Sequence, residues 1–177
     1  MKALTKHHLT LYRVSHMAKL IDIEGIGKTY ALKLEELGLK TTTALLKRAA
    51  NLRGRRELAV LLEVSEKRLL KWVNRADLMR VKGVGTQFSD LLEETGVDTV
   101  KELRNRVPEN LYAKMLEVNA VRNLARRDPT LEEVRGWVAL ARTLAVVVTH
   151  SAKGERQLEH QLQRKQQRLE GMKTLAL

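Results

Sequence analysis

Two stretches of this 177-residue chain set paired glycines ahead of a helical pattern: IEGIGKTYALKLEELGL, residues 23–39, and VKGVGTQFSDLLEETGV, residues 81–97. Glycine reaches backbone angles closed to other residues and lets the chain come close to another group. Both glycines of each pair are expected to use that freedom, with Ile26 or Val84 between them pointing inward to pin the turn. The first N–H groups of the helix that follows have no intrahelical acceptor, and they sit at the positive end of the helix dipole. A turn of this kind is a ready phosphate site. It can equally be a structural turn alone. Lys28, directly after Gly27, could add a charge contact. The spacing is not that of a P-loop, because GxxxxGK[ST] is absent. GIGKTY also lacks the GxGxxG spacing and the strand–helix alternation of a dinucleotide fold.

Basic clusters are the second candidate chemistry. KRAANLRGRRE places Lys47, Arg48, Arg53, Arg55 and Arg56 around an expected helix break at Gly54. RNLARRDP supplies Arg122, Arg126 and Arg127. Each is read either as a phosphate-contacting patch or as a solvated face. The tail carries Lys153, Arg156, Arg164, Lys165 and Arg168, diluted by Glu155, Glu159 and Glu170, and suits nonspecific, salt-dependent attraction. Tyr30, Phe88, Trp72 and Trp137 are read as core residues rather than base-stacking platforms. The acids near the turns are Asp22, Glu24, Asp90, Glu93 and Glu94. They form no metal or acid–base motif by spacing, and no Ser–His–acid signature is present. No enzyme and no cofactor is therefore expected.

A repeat organises the elements that must hold these residues. A shift of 58 positions brings Gly25 onto Gly83, Gly27 onto Gly85, Tyr30 onto Phe88, Leu34 onto Leu92, Gly38 onto Gly96 and Thr41 onto Thr99. Later, SEKRLLKWV from Ser65 matches TLEEVRGWV from Thr130, so Trp72 corresponds to Trp137. RNLARRDP is an insertion in the second copy. Such ordered recurrence reads as duplication. Helices are expected near Met17–Asp22, from Gly27 to about Leu37, from Thr41 or Thr42 to Ala50, from about Arg55 to Glu63 and from Ser65 to Asp77. Thr99 with Glu102, and Thr130 with Glu133, have capping-box spacing. An extended helix-turn-helix reading of LAVLLEVSEKRLLKWV is set aside, since Leu69, Leu70, Trp72 and Val73 need burial.

Composition agrees with an all-α chain. Apolar residues make up 44% but aromatics only 3%, and there are two prolines. The formal charge of +12 favours anionic partners, nucleic acid first. The absence of cysteine excludes disulfides and thiolate chemistry. His7 and His8 are read as part of a polar terminus rather than a metal site. The AVVV run at 145–148 is too short to cross a bilayer, and the leader lacks a signal-peptide core. A cytoplasmic location without membrane insertion is expected. The four expected segments are an N-terminal extension (1–16), a first unit (17–77), a second unit (78–149) and a basic, partly helical tail (150–177). The tail's apolar seam, Leu158, Leu162 and Leu169, is too sparse for a coiled coil.

Leu20, Ile23, Gly25, Ile26, Gly27, Ala31 and Leu34 match the pattern of the helix-hairpin-helix family. Leu78, Val81, Gly83, Val84, Gly85, Ser89 and Leu92 match it again, with serine for alanine. Over about 17–144 the chain also resembles the uncharacterised DUF4332 family. IEGIG, YALKLEELGL, GRRELA, WVNRADLMR, GVG and LLEETGVDTVKEL carry that likeness. The hairpin resemblance implies duplicated helix-hairpin-helix units that contact DNA, duplex or branched, through turn amides and largely without regard to sequence. The implied contacts are Gly25, Gly27 and Lys28 at one turn and Gly83, Gly85 and Thr86 at the other, with Lys82 and Gln87 at the edges. Such hairpins also serve as packing modules, so a protein-interaction or scaffolding role is the alternative. If one turn grips DNA alone, the first is expected to do so.

Overall fold

The computed structural model describes residues 18–150 and three further helical positions, 163, 164 and 167. The expected extension at 1–16, with His7 and His8, lies outside the described residues. So do the leucine seam of the tail and its basic residues Lys153, Arg156, Lys165 and Arg168. Arg164 is exposed on a helix.

Residues 18–150 are all-α. A 3-10 helix at Leu20–Asp22 precedes α1 (Lys28–Glu36), α2 (Thr42–Ala49), α3 (Leu52–Leu62), α4 (Glu66–Leu78), α5 (Thr86–Glu94), α6 (Val100–Leu103), α7 (Pro108–Arg122) and α8 (Leu131–Thr143). Half of these eight α-helix starts use short polar side chains that accept orphan amides. Thr41 accepts from Ala44 N at 3.1 Å, Asn51 from Gly54 N at 2.7 Å and Ser65 from Arg68 N at 3.2 Å. Thr130 and Glu133 form the expected reciprocal box. The Thr99–Glu102 box does not form. Val100 N donates instead to the buried carboxylate of Asp77 at 2.9 Å, and Glu102 accepts from Asp98 N at 2.6 Å. A carboxylate reaching in from the end of α4 thus holds the first amide of α6, while the Thr99 hydroxyl makes no cap bond. Burial pushes the Asp77 carboxyl up, and Arg80, 2.5 Å away, works against that rise.

Gly54 is not a break. α3 starts three residues before Arg55, and the break sits at Ala50–Asn51. A Cβ on Gly54 would stand 2.0 Å from the Arg48 carbonyl oxygen, so the glycine lets α3 press against the end of α2. Arg55 then turns inward. Its guanidinium donates to the carbonyls of Ala49 at 3.2 Å, Ala50 at 2.7 Å and Thr149. The end of α2 is satisfied this way.

Two aliphatic clusters form the interior. Ile23, Leu34, Leu45, Leu58, Leu62, Leu69 and Trp72 anchor the first. Leu78, Val81, Leu91, Leu92, Leu103, Met115 and Trp137 anchor the second. Helix α4 contributes to both. After α8 the chain returns, placing Val148 in the first cluster while Thr149 N bonds the Ala50 carbonyl at 3.0 Å. The AVVV run is thus a docking segment that closes the two clusters together.

Gly54→Ala forces the α2–α3 contact apart, and an overpacked core of this kind loses about 2 kcal/mol. Urea unfolding of the purified variant checks that loss.

Candidate nucleic-acid interface

The two glycine turns share one local geometry. Ile26 N bonds the Ile23 carbonyl at 3.0 Å, and Val84 N bonds the Val81 carbonyl at 2.9 Å. All four of these apolar residues are buried, so the turns are pinned from inside. Only the first glycine of each pair is left-handed: φ is +87° at Gly25 and +93° at Gly83. Gly27 and Gly85 have φ of −74° and −95°, angles open to any residue, contrary to the expectation that both glycines use their freedom. A tryptophan backs each turn. A Cβ on Gly25 would lie 3.0 Å from Trp72 Nε1, and one on Gly83 would lie 2.9 Å from Trp137 Nε1. Tyr30 and Phe88 tilt against those indoles, with centroids 5.2 and 5.0 Å apart. All four aromatics are thereby engaged in packing.

The outer side of the turns carries the possible anion contacts. Gly25, Gly27, Lys28, Lys82, Gly83 and Gly85 are exposed, and α1 and α5 begin at Lys28 and Thr86. Thr86 is half-buried, and its hydroxyl is committed to the Asp22 carbonyl at 2.5 Å, which joins the start of α5 to the first turn. The other first-turn carbonyls are also occupied. Arg75 donates to Glu24 O at 3.1 Å and Arg68 to Gly25 O at 3.4 Å. Arg68 lies over Tyr30 and Trp72, at 4.7 and 5.4 Å from their ring centroids. At the second turn Arg127 takes the matching place, 5.0 Å over Phe88. The RNLARRDP insertion brings it there, and Glu133 holds it at 2.5 and 2.8 Å. Arg127, with the Thr130 amide, pulls the Glu133 carboxyl down to about 2.

The basic clusters divide sharply. Arg48 and Arg53 both pair with Glu57, at 3.0 and 2.9 Å, and Arg56 pairs with Glu66 at 3.1 Å. Arg55 is 2% exposed and cannot meet a phosphate at the surface, so that expectation is corrected. Its partners are carbonyls that a charge count in sequence does not reveal. Lys47 is exposed beside a groove it shares with Arg80 and Val147. Arg122 reaches Glu94 at 3.4 Å. The Arg126 amide bonds Gln87 Oε1 at 3.1 Å, which brings its residue to the start of α5. Lys28, Lys82 and Arg126 make no ion pair among the described residues, and they flank the turns. Two acids of α5, Asp90 and Glu93, turn toward α4. Arg75 meets Asp90 at 2.5 Å and Glu93 at 2.9 Å, and Lys71 meets Glu93 at 3.3 Å. Burial raises the Asp90 carboxyl despite Arg75 beside it. Arg68 and Arg75 escaped sequence reasoning, and their positions four before and three after Trp72 on one helix were the available sign.

Among the described residues no group of three or more His, Cys, Asp or Glu could hold a metal ion, and no helix is long and apolar enough to cross a membrane. A family model described as a domain of unknown function, DUF4332, matches residues 8–144. The match begins inside the stretch expected to be an extension. No curated protein and no solved structure matches the chain.

Gly25→Ala is expected to cost about 1–2 kcal/mol for its left-handed angle alone, with the indole contact adding to it. Gly27→Ala, with nothing within 4 Å of the new Cβ, should unfold at nearly the wild-type urea concentration. The Glu133 carboxyl sits below its ordinary 4.5 when folded, so its stabilisation is full above that pH and fades as pH falls toward 2. Wild type should exceed Glu133→Gln by about 1 kcal/mol at neutral pH. That gap should close in unfolding curves taken progressively below pH 4.5.

Proposed function

We propose that this chain, which belongs to the DUF4332 family, is a cytoplasmic, non-catalytic DNA-binding protein built from two helix-hairpin-helix units. The units are residues 17–77 and 78–149. The observation that carries the reading is the matched pair of tryptophan-backed turns, each with exposed glycines at a helix start beside a lysine, Lys28 or Lys82, that makes no ion pair among the described residues. Amides at Gly25, Gly27 and Lys28, and at Gly83 and Gly85, cradle phosphate oxygens. Lys28, Lys82 and Arg126 add charge, and Lys47 extends the basic surface. Duplex or branched DNA is held by its backbone, and sequence matters little. The basic tail, 150–177, adds a salt-sensitive attraction. A protein-interaction role is the second reading. It is favoured by the first turn's carbonyls, which are engaged by Thr86, Arg68 and Arg75.

The test is titration of duplex, single-stranded and junction DNA across a salt series. Lys28→Glu and Lys82→Glu should each weaken binding roughly uniformly across DNA sequences and lower the salt slope by about 1–2. Arg53→Glu, at a residue held by Glu57, should do less. No binding at low salt overturns the proposal. Binding that neither lysine variant alters moves the contact off the turns.

A further inference from the structure

The α4–α5 junction has two unfilled halves elsewhere on the chain. At that junction Arg75 pairs with Asp90 and Glu93, Lys71 pairs with Glu93, and Thr86 reaches the Asp22 carbonyl. In the two-unit reading α1 is the counterpart of α5, and α8 is the counterpart of α4. Helix α5 packs on α4 and α7, whereas α1 packs on the 3-10 helix and on α3, the counterpart of α7. Helix α4 packs on α2, α3 and α5, whereas α8 packs on α6 and α7. Among the described residues, then, α1 lacks a covering helix and α8 lacks the helix it would cover.

The residues on the two open faces match each other. A groove of about 440 Å³ runs along α1, with Ile21 and Leu32 in its wall and Lys19, Lys28 and Lys40 around it. Leu32 is 61% exposed and Ile21 is 48% exposed, a costly arrangement for a face left to water. By the shift of 58, Leu32 stands where Asp90 stands in the second unit. By the shift of 65 that aligns the tryptophans, Leu140 on α8, half-buried at the rim of the second cluster, stands where Arg75 stands on α4. The ion pair Arg75–Asp90 therefore has an apolar counterpart in Leu140 and Leu32. One exposed leucine on a helix needs no explanation. Replacement of both members of a charged pair by leucine, on the two faces that lack a partner, points to a contact between those faces. The neighbouring position agrees: Gly136 stands for Lys71 and clears space beside Glu35, the counterpart of Glu93.

We infer that α8 of one copy docks in the α1 groove of a second copy, repeating the α4–α5 junction between chains. The contact is head-to-tail. Each chain keeps one face of each kind free for the next, so the assembly is a ring or a filament according to its twist. The inference rests on the two-unit correspondence and not on DNA contact.

The test is sedimentation velocity of the full chain without nucleic acid, over about 5–500 μM. Mass should rise with concentration. Leu32→Asp and Leu140→Arg should each move the association midpoint upward by about tenfold or more, with far-UV circular dichroism unchanged. The double variant L32D/L140R should recover association, because it writes the Arg75–Asp90 pair into the contact between chains. A single-chain mass at every concentration overturns the docking while leaving the two-unit reading intact. That outcome includes the case in which the chain's own tail covers the groove. Association that the single variants leave unchanged places the contact elsewhere and overturns the proposal. Loss in both single variants without recovery in the double overturns the two-unit correspondence itself.

Discussion

Each glycine turn depends on an indole whose Nε1 edge presses against it. Trp72 and Trp137 bring Nε1 to about the distance at which a Cβ on Gly25 or Gly83 would collide. The glycine must therefore have no side chain, and its left-handed angle turns the backbone outward over the ring. That single contact links distant parts of the sequence, since the indole comes from the last helix of its cluster and the glycine from the first turn. Tyr30 or Phe88 closes the other face of the ring, and an arginine covers the phenyl from solvent. The start of α1 or α5 is aimed by this stack.

Among the polar links between the two clusters, three charged side chains with several partners each stand out. Asp77 caps α6 from the end of α4, so the helix shared by both clusters also sets the second one's short helix. Arg75 gathers the Glu24 carbonyl, Asp90 and Glu93 at one point between the first turn and α5. Arg55 draws Thr149 back to the end of α2, after the chain has completed the second cluster. Each device uses a buried or half-buried charge with several partners, the circumstance in which breaking one member is most damaging. Apolar packing between clusters is left mainly to α4 and Val148, so these charges do much to fix the register of one cluster on the other.

Local features were the most legible. The helix starts at Thr41, Ser65 and Thr130, the inward Ile26 and Val84, and the burial of both tryptophans followed from residue type and spacing. Failures came where a distant group displaced a local one. Thr99 has the spacing of a cap, yet its hydroxyl makes no cap bond, and Asp77 arrives from 23 residues before Val100 to hold the first amide of α6. Gly54 reads as a breaker, yet a neighbouring carbonyl makes it a close-approach position inside the first turn of α3. Arg55 is indistinguishable in sequence from Arg53 and Arg56, and only the returning chain end shows that it faces inward. The like placement of Arg127 and Arg68 was equally hidden, because Arg68 lies on α4 and Arg127 between α7 and α8, and they meet similarly placed rings only in three dimensions.

Those arginines bear on what the charge of +12 means. Arg55, Arg68, Arg75, Arg80, Arg104 and Arg142 all donate to backbone carbonyls. Arg48, Arg53, Arg56 and Arg127 are held by glutamates. A guanidinium suits this work, since its fork of donors can satisfy several oxygens at once while staying charged. Lysines offer a compact, hydrated charge on a flexible stem and have less to gain from such sites. Lys28, Lys47 and Lys82 are accordingly left at the surface. The field available to an anionic partner is thus smaller and more localised than the composition implies. Part of it lies beside the turns, at Lys28 and Lys82, and part lies elsewhere, at exposed lysines such as Lys40, Lys47, Lys67 and Lys101.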